Sequence, residues 1–159
     1  KIIPDSDAVL SHYNNLVMPR SMGGLKISED TSTLLSKKHI LEFVVPYTRR
    51  VLEHFGGGYI HYCGKNDNLM QVFLNEPLAH GLNFGNPEMH DMEVVIKNCV
   101  EKDKIYYGHI PKGEQTVNDY FQKYLDASKK DGKSHLLLTY QCNLGERQRV
   151  LDSWNNAQI

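Results

Sequence analysis

The order of elements predicts an α/β protein built on a parallel sheet, and three observations predict it. Short apolar runs suited to strands alternate with longer segments of helical periodicity, the pattern of successive βα units. The strand runs show little apolar–polar alternation, as expected when helices cover the sheet. The polar residues fit for chemistry cluster just after the strands: Glu29 and Asp30, His61 and Cys63, Asn83 and Asn86, His109, and Cys142. Five such units fit a doubly wound sheet or part of an eight-fold barrel. Both architectures place their sites at the C-terminal ends of the strands.

The elements follow in order. Val9, Leu10, Tyr13, Leu16 and Val17 share one side of a helix predicted over Asp5 to Val17, which Pro19 ends. Gly23 to Ser28 is a short strand. Ser36 is a natural N-cap for a helix from about Lys37 to Phe55, kinked at Pro46 because proline removes a donor and crowds the preceding turn. Three glycines, Gly56 to Gly58, stop that helix. They precede a strand rather than joining strand to helix, so they are a turn and not a phosphate-binding loop.

Tyr59 to Cys63 is the second strand, followed by a helix from Asn66 to about Asn75, and His80 to Phe84 is the third. Asn86 and Pro87 form an N-cap and first-position pair opening a helix to about Glu101. Lys104 to Ile110 is the fourth strand. Thr116 to about Lys129 is a helix with Val117, Tyr120, Phe121, Tyr124 and Leu125 on one face. Ser134 to Gln141 is the fifth strand, and Gly145 to Gln158 a final helix with Val150, Leu151 and Trp154 inward.

Composition removes several function classes. The 159 residues carry 18 basic and 19 acidic side chains for a net charge of −1, and the basic ones are scattered, so neither nucleic acid nor an anionic membrane is an expected partner. No run reaches the length of a membrane span and no secretory leader is recognisable. Three cysteines are too few and odd in number for a disulfide framework, which points to a reducing, cytoplasmic setting. The chain opens at Lys1 without an initiator Met, and its organisation favours a fragment.

His61 and Cys63 are two apart, so in a strand both point to one face. A lone His-x-Cys at a strand end is more often packing than metal binding. Cys142 changes the balance: it ends another strand on the same face, and the three side chains supply three of the four ligands of a tetrahedral Zn²⁺, leaving one position open for chemistry. Cys99 serves as a contrast. It completes the helical stripe Met92, Val95, Ile96 and Cys99, which makes it a buried, inert hydrophobe.

Glu29 and Asp30 read as a catalytic acid–base pair, as holders of a substrate amine or hydroxyl, or equally as a solvated loop that caps the next turn. Asn83 and Asn86 are candidate substrate-binding residues, although capping sufficiently explains Asn86. His109 can reach the site mouth from its strand end and reads equally as an exposed loop residue.

Taken together, Leu35 to Arg50 with its Phe43-Val44-Val45-Pro46-Tyr47 core, Gly58 to Gly64, Gly81 to Glu88 and the strand into Cys142 resemble the uroporphyrinogen decarboxylase superfamily, which includes the cobalamin-linked zinc methyltransferases. The resemblance runs from about residue 20 onward, and His-x-Cys-Gly with a late Cys looks like the methyltransferase branch. It implies the C-terminal half of a (β/α)8 TIM barrel, completed by a missing N-terminal half or by another copy of the chain. It also implies zinc on His61, Cys63 and Cys142, a small thiol substrate, and a corrinoid on a partner protein. The decarboxylase branch resembles Asn-Leu-Gly-His-Gly near the last strand, whereas here Gln141, Cys142, Asn143, Leu144, Gly145 and Glu146 include no histidine. Cofactor-free decarboxylation, with Arg20, Arg49 and Arg50 as the available carboxylate clamps, and a non-catalytic half-barrel module are the alternatives.

Overall fold

In the computed structural model, residues 24–158 are described, together with the backbone of two short strands, β1 (Ala8–Leu10) and β2 (Val17–Pro19). Five strands form one sheet: β3 (Leu25–Ser28), β4 (Gly58–Tyr62), β5 (Ala79–Phe84), β6 (Ile105–His109) and β9 (Leu136–Thr139). All neighbouring pairs are parallel and the spatial order is β3-β4-β5-β6-β9, the order of the chain. β7 (Lys129–Lys130) and β8 (Lys133–Ser134) form a small hairpin beside it.

Sequential order has a consequence for the helices. When every crossover has the same hand and every step moves one strand along, the connecting helices all land on one face. One core cluster shows this. It joins Ile60, Tyr62, Leu82, Phe84, Tyr106 and Leu136 of the sheet to residues of α2 (Val45–His54), α3 (Asp67–Leu74), α4 (Met92–Glu101), α5 (Val117–Ser128) and α6 (Arg147–Ala157). The alternate strand residues Tyr59 and Tyr107 form a separate cluster on the opposite face. The sheet is therefore singly wound, which removes the doubly wound option and is consistent with half a barrel.

Local chemistry explains most element boundaries. Ser36 caps α1 (Lys37–His39) through the His39 N–H, and Asn66 and Thr116 cap α3 and α5 through the N–H groups of Leu69 and Asp119. The distortion expected at Pro46 takes the form of a π-helical turn over Ile40–Val44, in which the Val45 N–H reaches Ile40 O. Widening the turn just before a residue with no N–H lets α2 continue through the proline. The tight link between β7 and β8 places Asp131 and Gly132 both at positive φ, 50° and 74°, as a two-residue Asp-Gly hairpin requires.

Two expectations are corrected. Ala8–Leu10 and Val17–Pro19 pair as antiparallel strands, so the helix expected over Asp5 to Val17 does not form at either segment. Tyr13 and Leu16 lie outside the described residues. In so short a window, apolar spacing that fits a helix also fits a hairpin, and strand pairing decided it. Asn86 does not open a long helix either. Pro87–Met89 is a single 3-10 turn, and α4 begins after Asp91, whose carboxylate accepts the Val94 N–H at 3.2 Å.

Among the described residues, no helix is long and apolar enough to cross a membrane. The sheet's packing makes a testable contrast. Leu82, 1% exposed at mid-sheet, should cost about 2–5 kcal/mol on truncation to Ala. Leu34→Ala, at 87% exposure, should stay within about 0.5 kcal/mol. Urea unfolding with an unchanged m-value checks both.

Candidate metal-binding site

Strand register assembles the site. Ser28 of β3 is level with His61 of β4, and His61 is level with Asn83 of β5, so this row projects to the face opposite the helices. Two residues further on, the same face carries Asp30 and Cys63. Gly85 follows Asn83 at that level, and a Cβ there would collide with Cys63 Sγ, so glycine makes room for the thiol.

Asp30, His61 and Cys63 each bring one donor atom, and the three atoms lie within 4.8 Å of one another. His61 Nε2 stands 3.6 Å from both Cys63 Sγ and Asp30 Oδ1. The Cys63 N–H donates to Asp30 Oδ1 at 2.7 Å and Ser28 Oγ donates to Oδ2 at 3.0 Å, which aims the carboxylate at the imidazole. Behind the ring, His61 Nδ1 lies 2.5 Å from Asn83 Oδ1, and Asn83 Nδ2 donates to Tyr107 O at 2.6 Å. The ring is wholly buried while Asp30 is exposed, so the triad opens at the strand ends.

The protonation states suit metal binding. Burial, assisted by the Lys26 charge, keeps the His61 imidazole below its ordinary pKa despite opposition from Asn83 and Asp30, leaving it neutral. Burial works against ionisation of Asp30, but hydrogen bonds from Ser28 and Cys63 and the nearby His61 hold its carboxyl below the usual value. Burial and the Asp30 carboxylate push the Cys63 thiol up, with Lys26 opposing. Lys26 is itself lowered to about 8, chiefly by burial, with Asp30 and Cys63 pulling the other way. A neutral imidazole, a carboxylate and a thiol one proton short of ligation make a triad able to hold a metal ion.

Glu29 turns away from its neighbour: its carboxylate accepts from Ser32 Oγ at 2.7 Å and from Thr48 Oγ1 at 2.5 Å, tying the β3 loop to α2. The structure thus separates the acidic pair into a loop fastener and a site residue. Asn86 accepts the Gly64 N–H at 2.9 Å and donates to Glu88 at 3.0 Å, bracing the loop that follows Cys63. His109 is exposed at the end of β6, two residues beyond Tyr107 on the site face.

Cys142 does not join the cluster. β5 and β6 intervene between β4 and β9, so at about 4.8 Å per strand their axes are roughly 14 Å apart. Cys142 lies three residues past β9 and lines a groove with Phe121, Arg147 and Trp154, next to α5 and α6. Asp30, rather than Cys142, lies beside His61 and Cys63. The signal for it was the register of two parallel strand ends, which requires knowing that β3 and β4 are neighbours. Cys99, as expected, is buried in the core, and burial pushes its thiol up to about 12.

No protein-family model, no curated protein and no solved structure matches this chain.

The protonation pattern sets a pH dependence. Near neutral pH, His61 and Asp30 are already deprotonated, so metal uptake displaces about one proton, that of Cys63. Because the folded thiol is raised, affinity should fall about tenfold per pH unit as pH drops below its pKa, and proton release should vanish above it. Zinc titration calorimetry in buffers of different ionisation enthalpy measures the proton count, which Cys63→Ser should abolish.

Proposed function

We propose that this chain is the metal-binding half of a zinc-dependent methyltransferase barrel, with Asp30, His61 and Cys63 as ligands. The observation that carries the reading is the convergence of these three donors at the C-terminal ends of a singly wound parallel sheet. Thiolate and imidazole favour zinc over magnesium or calcium. Ligands about 2.0–2.3 Å from a tetrahedral zinc sit roughly 3.3–3.8 Å apart. The two 3.6 Å separations in the triad fit that requirement.

Zinc held by these three residues would supply a Lewis acid able to lower the pKa of a substrate thiol. The chain's own groups do the rest. His61 and Cys63 anchor the ion from one buried strand, and Asp30 fixes its distance from the loop. Asn86 braces the loop that follows Cys63, and His109, exposed at the end of β6, would contact the substrate. The sequence resemblance at His61-Tyr62-Cys63-Gly64 points to methyl transfer between a small thiol and a corrinoid on a partner protein, with Asp30 standing where that branch would use its late cysteine. A reducing compartment would keep Cys63 competent as a ligand. β3 and β9 are the outer strands of the five-stranded sheet, where the missing half-barrel or a second copy of the chain would pair.

The decarboxylase reading fares less well. It needs several cationic clamps at the site, but Arg49 is committed to Glu76 through bonds of 3.0 and 2.7 Å and Arg50 is exposed beside Tyr47 and His54, which leaves Lys26 as the cation acting on the triad among the described residues. Arg20 lies outside the described residues.

The full chain, purified without chelator, should contain about one zinc per molecule by elemental analysis. His61→Ala and Cys63→Ser should lose it, Asp30→Asn should weaken retention against a chelator, and Cys142→Ser should retain it. A small thiol added to the Co²⁺-substituted chain should add intensity to the thiolate-to-Co²⁺ charge-transfer band, whereas turnover of methylcobalamin is expected only when the other half of the barrel is supplied. Absence of metal from the wild type, or its loss in Cys142→Ser with retention in Cys63→Ser, would sink this ligand assignment.

A further inference from the structure

Resting on the metal reading above, we propose that Asn83 is a positioning residue. It holds His61 in the tautomer that carries its proton on Nδ1 and turns the Nε2 lone pair toward Asp30 and Cys63.

The Tyr107 carbonyl can only accept, so the Asn83 atom 2.6 Å from it is the amide nitrogen, and this fixes which way the amide faces. The amide oxygen is then the atom 2.5 Å from His61 Nδ1. An amide oxygen also only accepts, so Nδ1 must bear a hydrogen. In a neutral imidazole the other nitrogen then carries the lone pair, and that nitrogen faces Cys63 Sγ and Asp30 Oδ1 at 3.6 Å each. His61 and Asn83 are 0% and 1% exposed, so bulk water does not compete for the amide.

The sequence reserves space for this arrangement. Gly108 has φ +134°, and a Cβ there would collide with Asn83 Nδ2. The neighbouring residue is therefore glycine at the point where the amide approaches the β6 backbone. A hydrogen-bonded partner behind a ligating histidine raises its basicity and fixes the ring, and losing such a partner typically costs 10–100-fold in metal affinity.

The tautomer can be read without metal. Long-range ¹H–¹⁵N spectra of the metal-free full chain should show His61 protonated at Nδ1, and finding it protonated at Nε2 overturns the proposal. Asn83→Leu should release the preference and weaken Co²⁺ and Zn²⁺ binding about 10–100-fold, with a changed Co²⁺ ligand-field spectrum. Asn83→Asp, which keeps an acceptor facing Nδ1 but sets a second acceptor against the Tyr107 carbonyl, should recover only part of the affinity lost in Asn83→Leu. Equal affinity in Asn83→Leu and wild type overturns the positioning role. The wild-type spectrum still decides the tautomer if the leucine variant fails to fold. A wild type with the expected tautomer but no metal affinity sinks the metal reading and the role built on it. A wild type that binds metal with the proton on Nε2 sinks this inference alone.

Discussion

Parallel register between β3, β4 and β5 is the constraint on which the rest depends. Ser28, His61 and Asn83 come level because three successive strands are hydrogen-bonded neighbours in phase. The next level up then brings Asp30, Cys63 and Gly85 together. A shift of one residue in either pairing would send half of these side chains into the helix-covered face, where Ile60, Tyr62, Leu82 and Phe84 pack. The apolar residues of that face thus hold the polar residues of the other in place, because burying them permits one register only. The same alternation that builds the core positions the donors.

The opposite end of the sheet is built for stability. Glu76 is buried, but its carboxylate is gripped by Arg49 while its carbonyl accepts from Lys104 Nζ at 2.8 Å. His135, also buried, lies with Nδ1 2.8 Å from Lys104 O and joins β9 to the same network. These groups are satisfied within the chain, as buried polar groups must be. The groups at the C-terminal end are arranged differently. Asp30 is held ionised, Cys63 is held protonated partly by that same charge, and His61 is held neutral. A cation placed among them would relieve the mutual opposition of carboxylate and thiolate, which is the electrostatic case for a metal.

Two glycines show how close packing serves the site. Gly85 yields its Cβ volume to the Cys63 thiol and Gly108 yields its own to the Asn83 amide. Either position filled by alanine would push a polar group out of line, so shape and chemistry are coupled here through the backbone rather than through side-chain contacts.

Much of this was legible in the sequence, for reasons that are local. The run of βα units, the caps at Ser36, Asn66 and Thr116, the disturbance at Pro46 and the burial of Cys99 all follow from spacing, side-chain hydrogen bonds to nearby backbone and helical stripes. His61 and Cys63 could be paired because a strand's period of two is itself local. What only tertiary structure decided depends on which strands are neighbours. Asp30 joins the site because β3 lies beside β4, and Cys142 stands apart because two strands separate β9 from β4. Asn83 meets His61 across the next pairing, and Glu29 is drawn off by Thr48 of α2. Strand order and hydrogen-bond register are set by burying the whole helix-covered face at once, and no local stretch of sequence contains that sum.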